Sequence, residues 1–181
     1  MSAINNIQEK IGRFWLNKET KRLKRKVKAF SIEKASTIGV IYNATSRDDS
    51  ETVKKFIQYL KEERKDVLSL GFIESKDSSD IVKPHLNYTF FDKRDISKAF
   101  IPKGKDVEIF IKKPFSILID LNTEACFPIE YISALSAAKF KVGVKGFYHD
   151  NVCDLIIDIE ENRKLKFLII QIKHYLKMIK N

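Results

Sequence analysis

From Thr37 onward, short apolar runs alternate with stretches whose apolar positions recur every three to four residues. Thr37-Ile-Gly-Val-Ile-Tyr42 has the length and β-branched content of a buried strand. Asn43 to Ser50 is polar and reads as a loop. Ser50 then caps a helix from about Glu51 to Arg64, with Val53, Phe56, Ile57 and Leu60 on one face. Asp66 to Phe72 makes a second strand and Asn87 to Phe91 a third, followed by a short helix from Asp106 to Lys112 that stops before Pro114. Phe115 to Asp120 is the strongest buried strand. Pro128 to Lys139 reads as a helix with proline in its first turn, Phe140 to Val144 and Val152 to Asp158 as strands. Asn162 to Lys180 closes the chain as a long helix. It turns Leu165, Leu168, Ile169, Ile172, Leu176 and Ile179 inward and Lys166, Lys173, Lys177 and Lys180 outward.

Strands that are apolar almost throughout, alternating with helices, belong to a mainly parallel sheet covered on both faces. The expected fold class is α/β, a Rossmann-like three-layer sandwich formed by residues 35–181 as one domain. No internal repeat interrupts it, and Ser75-Lys-Asp-Ser-Ser-Asp80 reads as an exposed loop.

Residues 1–34 follow a different pattern. They hold no proline and one glycine, Gly12, and place Ile4, Ile7, Ile11, Phe14 and Trp15 in a helical repeat. A second stripe, Leu16, Leu23, Val27 and Phe30, points elsewhere, so the segment reads as a helical arm bent near Asn17. Lys21, Lys24, Arg25 and Lys28 cluster opposite that second stripe, flanked by Arg22 and Lys26. Charge sharpens the picture. The chain has 181 residues and a formal net charge of +10, of which +7 lies in these first 34 residues. So localised an excess points to an anionic partner more than an evenly basic composition does, although a solvated helix face has the same look.

Candidate chemistry is sparse. Cys126 and Cys153 match neither a disulfide framework nor a zinc spacing, which favours a reducing, cytoplasmic setting, and no apolar run reaches a membrane span. His85, His149 and His174 lack a second ligand at metal spacing, and no nucleophile elbow or glycine-rich phosphate loop occurs. No catalytic residue, metal or cofactor is therefore assigned. Ligands of open parallel sheets collect beyond the carboxyl ends of the strands. There Asn43, Thr45 and Ser46 precede a helix, and Asp120 and Glu124 could pair as carboxylates, although ordinary turn capping accounts for the same residues. Tyr88, Phe90 and Phe91 invite comparison with base-stacking platforms, with core packing as the alternative.

Two resemblances add to this reading. Phe115-Ser-Ile-Leu-Ile-Asp-Leu121 and Ala134-Leu-Ser-Ala-Ala-Lys-Phe-Lys-Val-Gly143 resemble the strand-helix-strand unit of the N-terminal domain of ADP-heptose-type glycosyltransferases. The resemblance implies a related sheet topology. The chain leaves no room for the second domain that holds the sugar-nucleotide donor in that family, and lacks its Gly-Asp turn. Over nearly the whole length, the blocks Trp15-Leu-Asn-Lys18, Thr37 to Ala44, Leu70-Gly-Phe-Ile73, Pro114 to Leu121 and Phe140 to Gly143 are similar to a family of small, basic, uncharacterised bacterial proteins, a domain of unknown function.

Three functions follow as expectations. The first is a non-enzymatic protein contacting RNA or a ribonucleoprotein such as the ribosome through Lys21, Arg22, Lys24, Arg25, Lys26 and Lys28. The second is docking on a protein, a second copy or a membrane surface through Ile4, Ile7, Ile11, Phe14 and Trp15. The third is a small-ligand site, or the remnant of a sugar-nucleotide enzyme, at Asn43, Thr45, Ser46, Asp120 and Glu124, which requires Asp120 to be exposed in a pocket.

Overall fold

The computed structural model describes residues 3–74 and 88–180. Its centre is a six-stranded sheet in the order β3-β2-β1-β4-β5-β6, with every neighbouring pair parallel. The strands are β1 (Thr37–Asn43), β2 (Asp66–Ile73), β3 (Thr89–Asp92), β4 (Ile117–Asp120), β5 (Lys141–Val144) and β6 (Leu155–Ile157). This is the strand order of Rossmann sheets, and it confirms the expected α/β class.

Parallel pairing needs crossovers, and helices supply most of them. Helix α2 (Arg47–Glu62) joins β1 to β2, α3 (Lys105–Lys112) precedes β4, α4 (Phe127–Leu135) joins β4 to β5, the short α5 (His149–Val152) precedes β6, and α6 (Leu165–Met178) follows it. Side chains alternate across the sheet. On one face Ile38, Val40 and Tyr42 of β1 meet Val53, Phe56, Ile57 and Leu60 of α2 and Leu168, Ile172 and Leu176 of α6. On the other, Ile41 and Leu118 meet Val107 and Phe110 of α3 and Ile129 and Ile132 of α4. The central strands β1 and β4 are thus buried on both faces, which explains their nearly unbroken apolar sequence.

Helix α1 (Ala3–Thr20) lies outside this sandwich, against α4. Leu16 is buried with Phe127 and Ala134, and Arg13 pairs with Glu130 at 2.9 Å. Gly12 sits at the contact. A Cβ there would lie 2.2 Å from the Ala99 carbonyl oxygen and 2.7 Å from the Phe127 ring, so only glycine permits this approach.

Several expectations are corrected. The arm is one unbroken helix to Thr20, and 21–34 forms turns and irregular chain instead of a second helix. Six cations between positions 21 and 28 would repel one another at helical spacing. Helix α2 begins four residues early, because Ser46, not Ser50, is its N-cap and accepts a bond from the Asp49 N–H; the buried Ser50 hydroxyl donates to Ala44 O instead. Residues 152–158 are not continuous strand. Four residues of α5 precede β6, and the Cys153 N–H bonds back to His149 O. The loop expected at Ser75–Asp80, Asn87 and His85 lie outside the described residues.

Candidate functional site

The parallel sheet has two unlike edges. At the amino ends of the strands, which also receive the carboxyl ends of the helices, residues 21–34 run as a strap. Its backbone is tied down by Lys28 N–H donating to Lys139 O just before β5 and Ile32 N–H donating to Leu176 O near the end of α6. Arg25 is the anchor. Its guanidinium makes a two-pronged pair with Asp154 at 2.6 and 2.7 Å and donates to Ala138 O and Lys139 O. Arg25 and Asp154 are both about 15% exposed, so Arg25 is withdrawn from the expected nucleic-acid set. A bidentate pair of this kind fixes direction as well as distance.

The other five predicted cations, Lys21, Arg22, Lys24, Lys26 and Lys28, all stand exposed on the strap. Arg22 pairs weakly with Glu19 at 3.3 Å, and Lys28 Nζ lies 5.2 Å from the Phe30 ring centre. The same edge carries exposed Arg64 after α2, Lys112 at the end of α3, Lys139 before β5 and Lys177 in the last turn of α6. Basic residues at helix carboxyl ends oppose the negative end of each helix dipole, and the parallel fold gathers those ends on one side.

Helix α1 docks with the opposite side from its main apolar stripe. Ile7, Ile11, Phe14 and Trp15 are between 42% and 65% exposed, and Lys18 Nζ lies 4.7 Å from the Trp15 ring centre. The side chain of Ile4 lies outside the described residues. The predicted docking stripe is thus an exposed apolar ridge, unusual on a domain surface.

At the carboxyl edge, β1 and β4 are neighbours whose following helices leave to opposite faces. A cleft of about 670 Å³ opens there, in the crevice where ligands of such sheets bind. The structure brings Asn43, Thr45, Ser46 and Glu124 together in its lining, as the sequence suggested. Asn43 Oδ1 accepts from Thr45 N–H and Thr45 Oγ1 accepts from Glu74 N–H, each at 2.9 Å, so this wall is built by its own loop. Sequence reading missed Arg163, Lys164 and Lys166, which the start of α6 adds to the lining. Their chemistry shows only when the last helix is placed beside the first loop.

Asp120 does not belong to that lining. It is 1% exposed and accepts from Ser133 Oγ at 2.6 Å, Tyr148 Oη at 2.8 Å and Asn122 N–H at 3.0 Å. His149, also fully buried, places Nε2 3.4 Å from Asp120 Oδ1, within ion-pair range but without hydrogen-bond alignment. Burial opposes charge on His149, yet Asp120 outweighs it and raises the imidazole above its ordinary range. The expected Asp120–Glu124 carboxylate pair is therefore replaced by a sealed polar cluster, and the expected ligand site that required Asp120 exposed in a pocket is not formed; the cleft beside it does without Asp120. The cluster turns the end of β4 toward α4 and α5.

The remaining candidates are structural. Phe91 is buried on Phe72 with ring centres 5.0 Å apart, whereas Tyr88 and Phe90 are half-buried against the core, Phe90 over Gly71 and Tyr88 under the Lys61 ammonium. Burial pushes the Cys126 thiol up to about 12 and raises Cys153 as well, leaving both poor nucleophiles. Among the described residues no cluster of metal-ligating side chains occurs, and no helix is long and apolar enough to cross a membrane.

Comparison with known families places the chain. The model of DUF6913, a family of unknown function, matches residues 8–179, and the chain belongs to that family. No curated protein matches it, so the resemblance of 115–143 to glycosyltransferases gains no support.

Proposed function

We propose that this DUF6913 member is a binding protein that attaches to RNA, within a ribonucleoprotein particle such as the ribosome, through the amino edge of its sheet. The observation that carries the reading is the strap. Five exposed cations, Lys21, Arg22, Lys24, Lys26 and Lys28, are held against the body by the Arg25–Asp154 pair, beside Arg64, Lys112, Lys139 and Lys177 on the same edge. Lysine-rich surfaces of this kind contact phosphates and fix position; they do not read bases. The reading is therefore of attachment by charge and shape.

The cytoplasm suits it, since both cysteines are free and half-buried with raised thiol pKa values. A second reading rests on the ridge of Ile7, Ile11, Phe14 and Trp15, which would dock on a protein or membrane surface. Fractionation of cell lysate on a density gradient separates the two. Movement with a heavy particle, released by high salt or RNase, is the expected result. A light peak indifferent to RNase overturns RNA attachment and leaves the ridge.

A further inference from the structure

The cleft at the carboxyl edge lies at the far end of the strands from the strap and plays no part in RNA attachment. We propose that it binds a phosphate monoester of a small polyhydroxylated molecule, with the phosphate at the start of α6 and the hydroxyls toward Asn122 and Glu124. Four observations converge on this chemistry.

The cleft has the volume of a small-molecule site, about 670 Å³. Among the described residues its cations come from one stretch of chain. Arg163, Lys164 and Lys166 are exposed at the amino end of α6, a 14-residue helix that no side chain caps, and among the described residues none of the three forms a salt bridge. Unfilled N–H groups, the positive end of the dipole and three cations together suit a compact dianion.

The floor contributes Asn122, only 2% exposed. Its Nδ2 is committed to Glu124 O and Tyr148 Oη, while its Oδ1 has no partner among the described residues. Asn122 lines the cleft, where this oxygen is open to a donor, and a ligand hydroxyl would supply one.

The same lining carries Glu124 and Glu74, with Asp48 and Asp49 in the first turn of α2. These carboxylates would accept hydroxyl protons and repel a second phosphate. That selects an ester with one phosphate and a donor-rich remainder over a diphosphate. Among the described residues Leu121 and Leu165 are the only large apolar ones in the lining, too few to sandwich a nucleobase. A sugar phosphate fits better than a nucleotide.

Isothermal titration with ribose 5-phosphate and glucose 6-phosphate, each against ribose, inorganic phosphate and AMP, tests the assignment. At least one sugar phosphate should bind about tenfold more tightly than inorganic phosphate and more tightly than AMP, and should raise the melting temperature with concentration. The double variant Arg163→Ala/Lys166→Ala, at exposed positions, should weaken that ester about tenfold or more. Glu124→Gln should weaken the ester while leaving inorganic phosphate unchanged. Circular dichroism establishes that each variant is folded. Absence of saturable binding by both esters at millimolar concentration overturns the proposal. So does equal affinity for ester and inorganic phosphate, tighter binding of AMP, or an ester affinity indifferent to both variants.

Discussion

Lys141, 3% exposed, begins β5, its ammonium donating to Ala134 O at 2.8 Å while its backbone N–H donates to Asp154. Burial, with the nearby Arg25 charge adding to it, lowers its pKa to about 8; Cys153 and Asp154 offset part of this. The folded value therefore lies below the ordinary lysine value near 10.5. At pH 7 the side chain is charged whether folded or unfolded, and the cost of burying that charge is fully present. Between about pH 8 and 10.5 the unfolded chain holds the proton and the folded protein has released it, so stability rises with pH in that window. The gain is about 3 kcal/mol at 1.4 kcal/mol per pKa unit. Urea unfolding of the native chain and of Lys141→Met at pH 7 and pH 10 isolates it, because the other titrating groups are common to both. The native chain should gain about 2.5 kcal/mol relative to the variant on going to pH 10, which stops short of the upper end of the window. A difference that stays constant with pH would mean that Lys141 keeps its ordinary pKa. Asp120 shows the converse of such a cost: every short contact it makes is a donor, so a buried carboxylate is satisfied without a cation in direct hydrogen bond.

At the scale of elements, α1 is held by a narrow contact. Replacing Gly12 by alanine would raise intrinsic helix propensity by about 1 kcal/mol, but the added Cβ meets a backbone carbonyl that cannot rotate away. The steric effect should dominate, displacing α1 from α4 and stretching the Arg13–Glu130 pair. Limited trypsin digestion should then cut at Arg13 or Lys18 about tenfold faster than in the native chain, with the sheet domain left intact. Unchanged protection would show that Ala99 and Phe127 can yield. Most elements were legible because a strand buried on both faces has a continuous apolar signature, and β1 and β4 need nothing else to be recognised. The strap was not. Leu23, Val27 and Phe30 have helical spacing, yet Val27 is 55% exposed, and the segment is shaped by Arg25 reaching Asp154. That partner is 129 residues away, beyond any local pattern. The start of α2 failed differently: Ser46 and Ser50 both suit an N-cap, and spacing alone does not choose between them.

For the whole molecule, the parallel topology sorts charge by edge. Helix carboxyl ends with their lysines meet the strap on one side, and helix amino ends with Asp48, Asp49, Arg163 and Lys166 surround the cleft on the other. Half of the cleft was readable, since Asn43, Thr45 and Ser46 follow β1 directly; its cations were not, because only the fold brings position 163 beside position 45. The strap reading makes a quantitative claim about salt. If its five exposed cations each neutralise a phosphate of single-stranded RNA, log affinity should fall against log salt with a slope near −3.5, about −0.7 per contact. Replacing Lys21, Lys24, Lys26 and Lys28 by glutamine should reduce the slope to about −0.7 and weaken binding at low salt by several orders of magnitude. Removing residues 1–16 takes away the ridge of Ile7, Ile11, Phe14 and Trp15 but none of these cations, and should leave the slope unchanged. Fluorescence anisotropy on an unstructured oligonucleotide distinguishes the two variants. A truncation that lowers affinity as much as the lysine replacements would assign the contact to α1, and with it the function to the apolar ridge.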